Sequence, residues 1–456
     1  MLGLLNLEKG KANMERMEEH QEDMPYHQYQ HFVSNSPWSA QSVIEQVGKD
    51  VDQLMRTEQI KTGKPTGLLL DESAHVKKGK ESVGAARQYA GIIGKVENCQ
   101  VGVYASLCNG KRASLINERL FLPESWIEDE ERCDKTEIPP EFREHKTKPV
   151  LALEMVDDAL KQNISFDWVG GDGLYGHNYE LGKGLDERHV LFVLDVHKDQ
   201  TVYLERPHIY LPEKQGGRGR PSSRLQTDNI PIRVDRHVVS VNPEQWQKVK
   251  VRKTAKGWLK AWIYTREVWV WDGQEAHARK RTLIVRKSIS RLDSEKTELK
   301  YSLSNGSLKQ SSVQVMENKS LGAQNNPKAM KNDSSPGQHT LEDFAFFQAQ
   351  RYWVERNFDD AKNELGMSDY QIRKWRAWHH HHAIVLMALL FMLQEMIAKE
   401  SAFPLMSVRD ARIMVTTLIA QTIQITEPPM QRQIRLMKKR HKKRQRDIDR
   451  SFARNG

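Results

Sequence analysis

Gly67-Leu68-Leu69-Leu70-Asp71 and, further on, Phe166-Asp167-Trp168-Val169-Gly170-Gly171-Asp172-Gly173 are short apolar runs that each release an aspartate. Runs of this length, rich in branched apolar side chains, read as buried strands. The glycines around Asp172 permit a sharp exit from the strand and a close approach by a ligand or another backbone. Two carboxylates at the edge of one sheet form the start of a two-metal phosphoryl-transfer site. An acid at a strand end is also an ordinary turn former or helix cap, so each one alone carries little weight.

Working outward, strands are expected at residues 99–109 and 112–122, joined by the hairpin turn Asn109-Gly110. A helix at 149–163, the strand ending at Asp172 and a strand at 189–196 follow. Three antiparallel strands followed by alternating helix and strand give a mixed sheet with helices on its faces, so the fold class is α/β. Residues 1–62 read as a helical N-terminal region, with a helix start at Ser36-Pro37-Trp38-Ser39. From 197 the pattern changes to short alternating strands, read as an all-β insertion, and 305–336 form a polar connection. Helices resume from 338 to 425, and 426–456 form a basic tail.

A third acid completes the set. Glu355 lies in a stretch with helical spacing through Phe347, Arg351, Val354, Phe358, Ala361 and Leu365, and so would reach the sheet edge from a helix. Arg351 and Lys362, four residues before and seven after it, fall on the same helix face, where they could hold the acid or touch DNA phosphate. A solvated salt-bridge ladder has the same spacing. Two hard divalent cations about 4 Å apart activate a water or hydroxyl and stabilise the leaving oxygen of a phosphodiester. Magnesium needs few carboxylates beside water and phosphate oxygens, so Asp71, Asp172 and Glu355 suffice as ligands.

Charge points to a polyanionic partner. The net charge is +10, and the last 26 residues hold eleven Lys or Arg against two Asp. Lys438, Lys439, Arg440, Lys442, Lys443 and Arg444 would neutralise DNA phosphates without reading sequence. Arg218 and Arg220, in Gly217-Arg218-Gly219-Arg220-Pro221, have the form of a minor-groove hook and equally of a flexible connector. The three cysteines lack CxxC spacing and argue for a reducing compartment, with neither a disulfide framework nor a zinc site. The most membrane-like stretch, 383–393, is eleven residues, under the roughly 20 that span a bilayer, so no membrane partner is expected. His379 to His382 are consecutive, and consecutive helical positions point in different directions, so helix packing or a DNA-facing role suits them better than one metal site.

Leu68-Leu69-Leu70-Asp71-Glu72-Ser73, Trp168-Val169-Gly170-Gly171-Asp172-Gly173-Leu174-Tyr175-Gly176 and Arg351-Tyr352-Trp353-Val354-Glu355-Arg356-Asn357-Phe358-Asp359-Asp360-Ala361-Lys362 resemble, in that order, the DDE insertion-sequence transposases. The likeness is to the IS-four superfamily and its seven-hundred-and-one branch. It implies an RNase H-like core interrupted by a β-rich insertion before the Glu-bearing helix. It also implies cleavage and strand transfer with two magnesium ions, or manganese in their place. The partners implied are the double-stranded terminal repeats and target DNA, joined in a complex of at least two copies, in a bacterial-type cytoplasm at the nucleoid. Asp71, Asp172 and Glu355 match the acids, and Arg351 and Lys362 the basic partners of the Y-x2-R-x3-E-x6-K signature, whose tyrosine is here Gln348. The start at Met1 is expected to be shorter than the family's usual N-terminal DNA-binding region. A catalytically inactive, transposon-derived DNA-binding regulator and a stand-alone nuclease are the competing readings. Trp246, Trp258, Trp262, Trp269 and Trp271 cluster in the insertion, where core packing is expected for most and stacking on a base is the alternative.

Overall fold

The computed structural model describes residues 13–14, 17–18, 25–213, 223–254, 257–289, 297–309 and 337–422, with scattered positions of the tail. Its frame is a sheet of ten strands among the described residues, in the order β2–β3–β1–β5–β6–β12–β11–β10–β9, with β4 also paired to β3. The first part comprises β1 (Gly67–Val76), β2 (Ala86–Ala90), β3 (Lys95–Asn109), β4 (Arg112–Phe121), β5 (Trp168–Gly171) and β6 (Phe192–Val196). β3 runs antiparallel to β1 and β4, whereas β5 is parallel to both β1 and β6. Gly110, at a φ of 61°, sits in the tight β3–β4 turn that its left-handed backbone allows.

Helix α1 (Ala40–Thr62) opens on Ser39, whose side chain accepts from the Ser42 amide, and closes on Gly63 in the left-handed conformation. Its Ile44, Val47, Val51 and Met55 recur at helical spacing and are buried, and the helix packs against β3 and β4. Helix α2 (Lys148–Lys161) packs on the same two strands through Leu151, Ala152, Met155 and Val156. The core between sheet and helices is continuous with Leu68, Leu69, Leu70, Val103 and Val169, all essentially inaccessible.

The insertion departs from expectation. Two short strands, β7 (Thr201–Val202) and β8 (Ile232–Arg233), pair with each other, and a helix occupies Val234–Val239, so the segment is not purely β. Its longer strands, β9 (Gln247–Thr254), β10 (Gly257–Val270), β11 (Arg279–Ile289) and β12 (Thr297–Ser304), form an antiparallel set. β12 pairs antiparallel with β6 from Tyr301↔Val196 to Ser304↔Val193, so the set continues the first sheet. Residues 310–336 of the expected connection lie outside the described residues.

The C-terminal helices are α3 (Leu341–Gln350), α4 (Tyr352–Glu364), α5 (Trp375–Ala398) and α6 (Val408–Thr422). The single helical stretch expected through Phe347 and Leu365 is therefore broken at Arg351, which separates α3 from α4. The apolar run at 383–393 belongs to the longer α5, whose 24 residues suffice in length and composition to cross a membrane. Its Trp378, Val385, Leu386 and Leu389 are instead buried in the chain's own core against α1 and β4.

Candidate active site

β1 and β5 bring the first two acids together. Their parallel register ends with Leu70 opposite Gly171, so the next residue on each chain is an aspartate, Asp71 and Asp172. β1 itself does not end there: it continues to Val76 along β3. Asp71 is thus a mid-strand residue at the point where β5 turns away, because only the parallel neighbour stops. Asp172 leaves the strand and caps the turn Gly173–Gly176, its Oδ1 accepting from the Leu174 amide at 2.9 Å. Gly176 lets this turn lie directly on β6: a Cβ there would sit 1.9 Å from the Asp195 carbonyl oxygen. At the glycines flanking Asp172 the close neighbours are side chains, Trp168 at Gly170, Tyr175 at Gly171 and His197 at Gly173.

Asp71 is buried, with its Oδ1 accepting from the Glu72 amide at 2.8 Å. Burial, and then the charge of Asp172, pushes its carboxyl well above the usual carboxylate range; Arg351 only partly offsets them. Two acids held this way at one register favour a cation between them.

In the structure Arg351 faces the acids from the break between α3 and α4. Its guanidinium lies 2.9 Å from Glu355, 3.1 Å from Asp195 and 4.0 Å from Asp71. Burial alone would weaken its hold on its proton, but Asp195, Asp71, Glu355 and Asp172 together raise its pKa. Among the described residues no group of three or more His, Cys, Asp or Glu converges as a ready metal cage. Glu355 is instead turned to Arg351, with its side chain half exposed.

Asp195, on β6, is the site residue that sequence reading passed over. The Ser302 hydroxyl donates to it at 2.6 Å, and the Gln348 amide donates to Ser302 at 2.6 Å. Burial raises the Asp195 carboxyl above its ordinary range, while Arg351 and the Ser302 hydrogen bond pull it back. A chain thus runs from Gln348, at the signature tyrosine's position, through Ser302 and Asp195 to Arg351. The available signal was an acid near the end of a strand, Phe192-Val193-Leu194-Asp195, that resembles the run ending at Asp71.

Lys362 folds back and donates to the Ala74 carbonyl of β1 at 3.1 Å. Burial lowers its ammonium to a pKa of about 8 against the attraction of Asp359 and Asp71. Arg218, Arg220, Lys439, Arg440 and Lys443 lie outside the described residues, whereas Lys438, Lys442 and Arg444 are helical and exposed. None of the five insertion tryptophans is fully buried: Trp258, Trp262 and Trp269 lie on β10, whereas Trp246 and Trp271 lie outside the strands and Trp246 packs against the buried core of the insertion. Lys248, Lys250 and Arg206 lie over Trp262, Trp258 and Trp269, at 5.7, 5.6 and 5.5 Å. The histidine run packs helices: His380 bonds the Val33 and Trp38 carbonyls, His381 that of Met367 and His382 that of Trp378. His379 meets the buried Glu118 carboxylate at 2.6 Å, so the run serves packing, and burial keeps His381 neutral with a pKa of about 4.

The description "DDE superfamily endonuclease" belongs to the family that matches residues 2–257, a span holding both Asp71 and Asp172. The chain belongs to this family. The matched span of the DDE endonuclease stops before α4, so the match does not extend to Glu355. A curated relative is the "Probable transposase for insertion sequence element IS701" of Microchaete diplosiphon, 28% identical over 191 residues. That alignment covers 39% of this chain and 43% of the relative, so the chain matches less than half of the relative's length.

Proposed function

We propose that this DDE endonuclease is an insertion-sequence transposase that cuts phosphodiesters at the ends of its element and joins the freed 3′-hydroxyl to target DNA. The observation that carries this reading is the register of β1 on β5, which sets Asp71 beside Asp172, with Arg351 linking Asp71 to Glu355. The strand order β4–β3–β1–β5–β6, three antiparallel strands and then two parallel to the first, supports an RNase H-like core.

The residues fit a divalent cation. Their donors are hard carboxylate oxygens, and the proton affinity of Asp71, raised first by burial and then by the charge of Asp172, is what a bound cation would offset. Asp71, Asp172 and Glu355 would hold magnesium, or manganese in its place. When bound, the metal supplies an activated water or hydroxyl and stabilises the leaving oxygen. Arg351 keeps Glu355 on α4 within reach of the aspartates, and Asp195, braced by Ser302, keeps Arg351 from collapsing onto Asp71. Arg351 and Lys362 would meet DNA phosphate near the scissile bond, while Arg218, Arg220 and the basic tail from Lys438 to Arg444 would hold the duplex. Exchange of one phosphodiester for another needs no external energy source. The protein would act in the cytoplasm at the nucleoid, on terminal inverted repeats and target DNA, as at least a dimer once two ends are joined.

The test is a magnesium-dependent cleavage and joining assay on a labelled duplex carrying the element's terminal repeat, with Glu355→Gln run beside wild type. Nicking at the repeat boundary followed by joining, lost in the variant, is the expected result. Nicking without joining would make the chain a stand-alone nuclease. Binding with no cleavage in magnesium or manganese would favour the DNA-binding regulator, whose support is that Glu355 is held by Arg351 and no three-ligand cage is formed among the described residues.

A further inference from the structure

Beside Glu355 lies a cavity of about 190 Å³, lined chiefly by Arg252, Arg286, Lys300, Arg351, Tyr352 and Glu355. Four cations and one carboxylate therefore line it, with Asp195 on Arg351 at 3.1 Å and Glu298 at 3.9 Å from Lys300 as the further acids in reach. Three of them come from the insertion, Arg252 on β9, Arg286 on β11 and Lys300 on β12. Arg286 and Lys300 are direct cross-strand partners, an arrangement in which like charges repel. Arg252 lies 4.9 Å from the centre of the Tyr352 ring, which orients the guanidinium without neutralising it.

Arg286 is the informative member. Its Nε is buried with no hydrogen-bond partner. Burial lowers its pKa, and Arg351 and Arg252 push in the same direction, against the attraction of Asp195 and Glu298. Arg351 is already engaged by Asp195 and Glu355. The cavity wall thus keeps an excess of positive charge and an unused buried donor, features that lower the stability of the free protein. Guanidinium forks are suited to phosphate, which accepts several such bonds at once.

We propose that this cavity is a phosphate site that grips one backbone phosphate of bound DNA, next to the phosphate addressed by Asp71, Asp172 and Glu355. The identity of the ligand as DNA rests on the transposase reading above. The insertion would then act as a clamp on the strand as well as an extension of the sheet. Arg286 and Lys300 supply the clamp's charge, and Tyr352 holds Arg252 in place from the catalytic helix.

The test measures binding of the full chain to a labelled random-sequence duplex in EDTA across a potassium chloride series, so that no cleavage intervenes. Arg286→Gln is expected to flatten the dependence of log affinity on log salt by about one and to weaken binding roughly tenfold near 0.1 M salt. Arg286→Lys should keep the wild-type slope. Lys280→Gln, an exposed position on the same strand, should keep it too. Removing a cation whose buried Nε has no partner and which is repelled by Arg351 and Arg252 should leave the melting temperature of the free protein unchanged or raise it. An unchanged slope in Arg286→Gln, or an equal loss in Lys280→Gln, would overturn the site. A lower melting temperature with an intact slope would make Arg286 a packing residue. Should Arg286→Gln fail to fold, Lys300→Gln carries the same measurement. If inorganic phosphate raises the melting temperature of wild type but not of Arg286→Gln while both bind DNA with one slope, the site takes free phosphate and the DNA assignment falls. Because metal is absent, the readout is independent of cleavage: a chain with the expected slope that never cuts loses the transposase reading and keeps the clamp.

Discussion

The β1–β5 junction and the β9–β12 half of the same sheet hold opposite like-charge clusters. At the junction Asp71 is buried beside Asp172 and its proton affinity is raised. In the insertion Arg286 faces Lys300 across the ladder, and its proton affinity is lowered. Arg351 stands between them and binds acids from both β1 and β6. Stability alone would mix these charges into neutral pairs, as elsewhere in the protein with Arg188 on Asp157 and Arg412 on Glu364. On the proposed reading, their segregation gives two ligand positions of opposite sign, one for cations and one for phosphate, separated by a single arginine.

The largest expected effect is on the acidic side. Asp172→Ala and Glu355→Gln should each cut magnesium-dependent cleavage by about a thousandfold or more while leaving DNA affinity within a few fold, read by nicking and by gel shift. Retained cleavage in Asp172→Ala would remove the acidic cluster from the chemistry and leave the comparison without its first term. Asp195→Asn comes next. It weakens the anchor that holds Arg351 away from Asp71, so cleavage should fall about 10- to 100-fold and half-saturation should need more manganese, measured by calorimetry as well as by rate. An unchanged manganese affinity would make Asp195 part of the fold only.

A smaller effect separates function from stability. Asp71→Asn removes a carboxylate that burial and Asp172 disfavour, so the free protein should gain about 1–2 kcal/mol at neutral pH even as cleavage is lost. The sign follows from linkage. Below the unfolded pKa near 3.8, Asp71 is protonated in both states and imposes no penalty. As pH rises the unfolded chain ionises first, and the penalty on the folded state grows until the raised folded pKa is passed. The melting difference between variant and wild type should therefore widen with rising pH and then level off.

Much of this arrangement was legible in the sequence. The apolar runs ending at Asp71 and Asp172 supplied adjacent strands, and Asn109-Gly110 the hairpin between β3 and β4, because strand periodicity and turn chemistry are local. What escaped was set by pairing between distant segments. Nothing around Asp71 told that β1 would continue along β3 while β5 stopped, since strand length depends on the neighbour. The insertion read as separate because its alternation matches any half-buried sheet, and only the pairing of β12 with β6 decides which sheet it joins. Asp195 and Arg286 were missed for the same reason: each acquires its role from residues more than thirty positions away, Ser302 and Arg351 for one, Arg351 and Arg252 for the other.

The smallest effect tests whether Lys362 belongs to the acidic cluster. Its ammonium reaches β1 at Ala74, three residues past Asp71, and has a pKa of about 8 where an exposed lysine has 10.5. In Lys362→Met the lost hydrogen bond partly offsets the relieved desolvation, so a net gain of about 1 kcal/mol is expected at pH 7. Below the folded value near 8 both states carry the proton and the penalty is complete; between that value and 10.5 the folded state sheds it first and wild type recovers. The gap between variant and wild type, followed by thermal melting from pH 7 to 10, should therefore close. Asp71 attracts Lys362, so in an Asp71→Asn background the gain from Lys362→Met should be larger than in wild type. Equal gains in the two backgrounds would place Lys362 outside the acidic cluster and leave Arg351 as the cation shared between the two halves of the sheet.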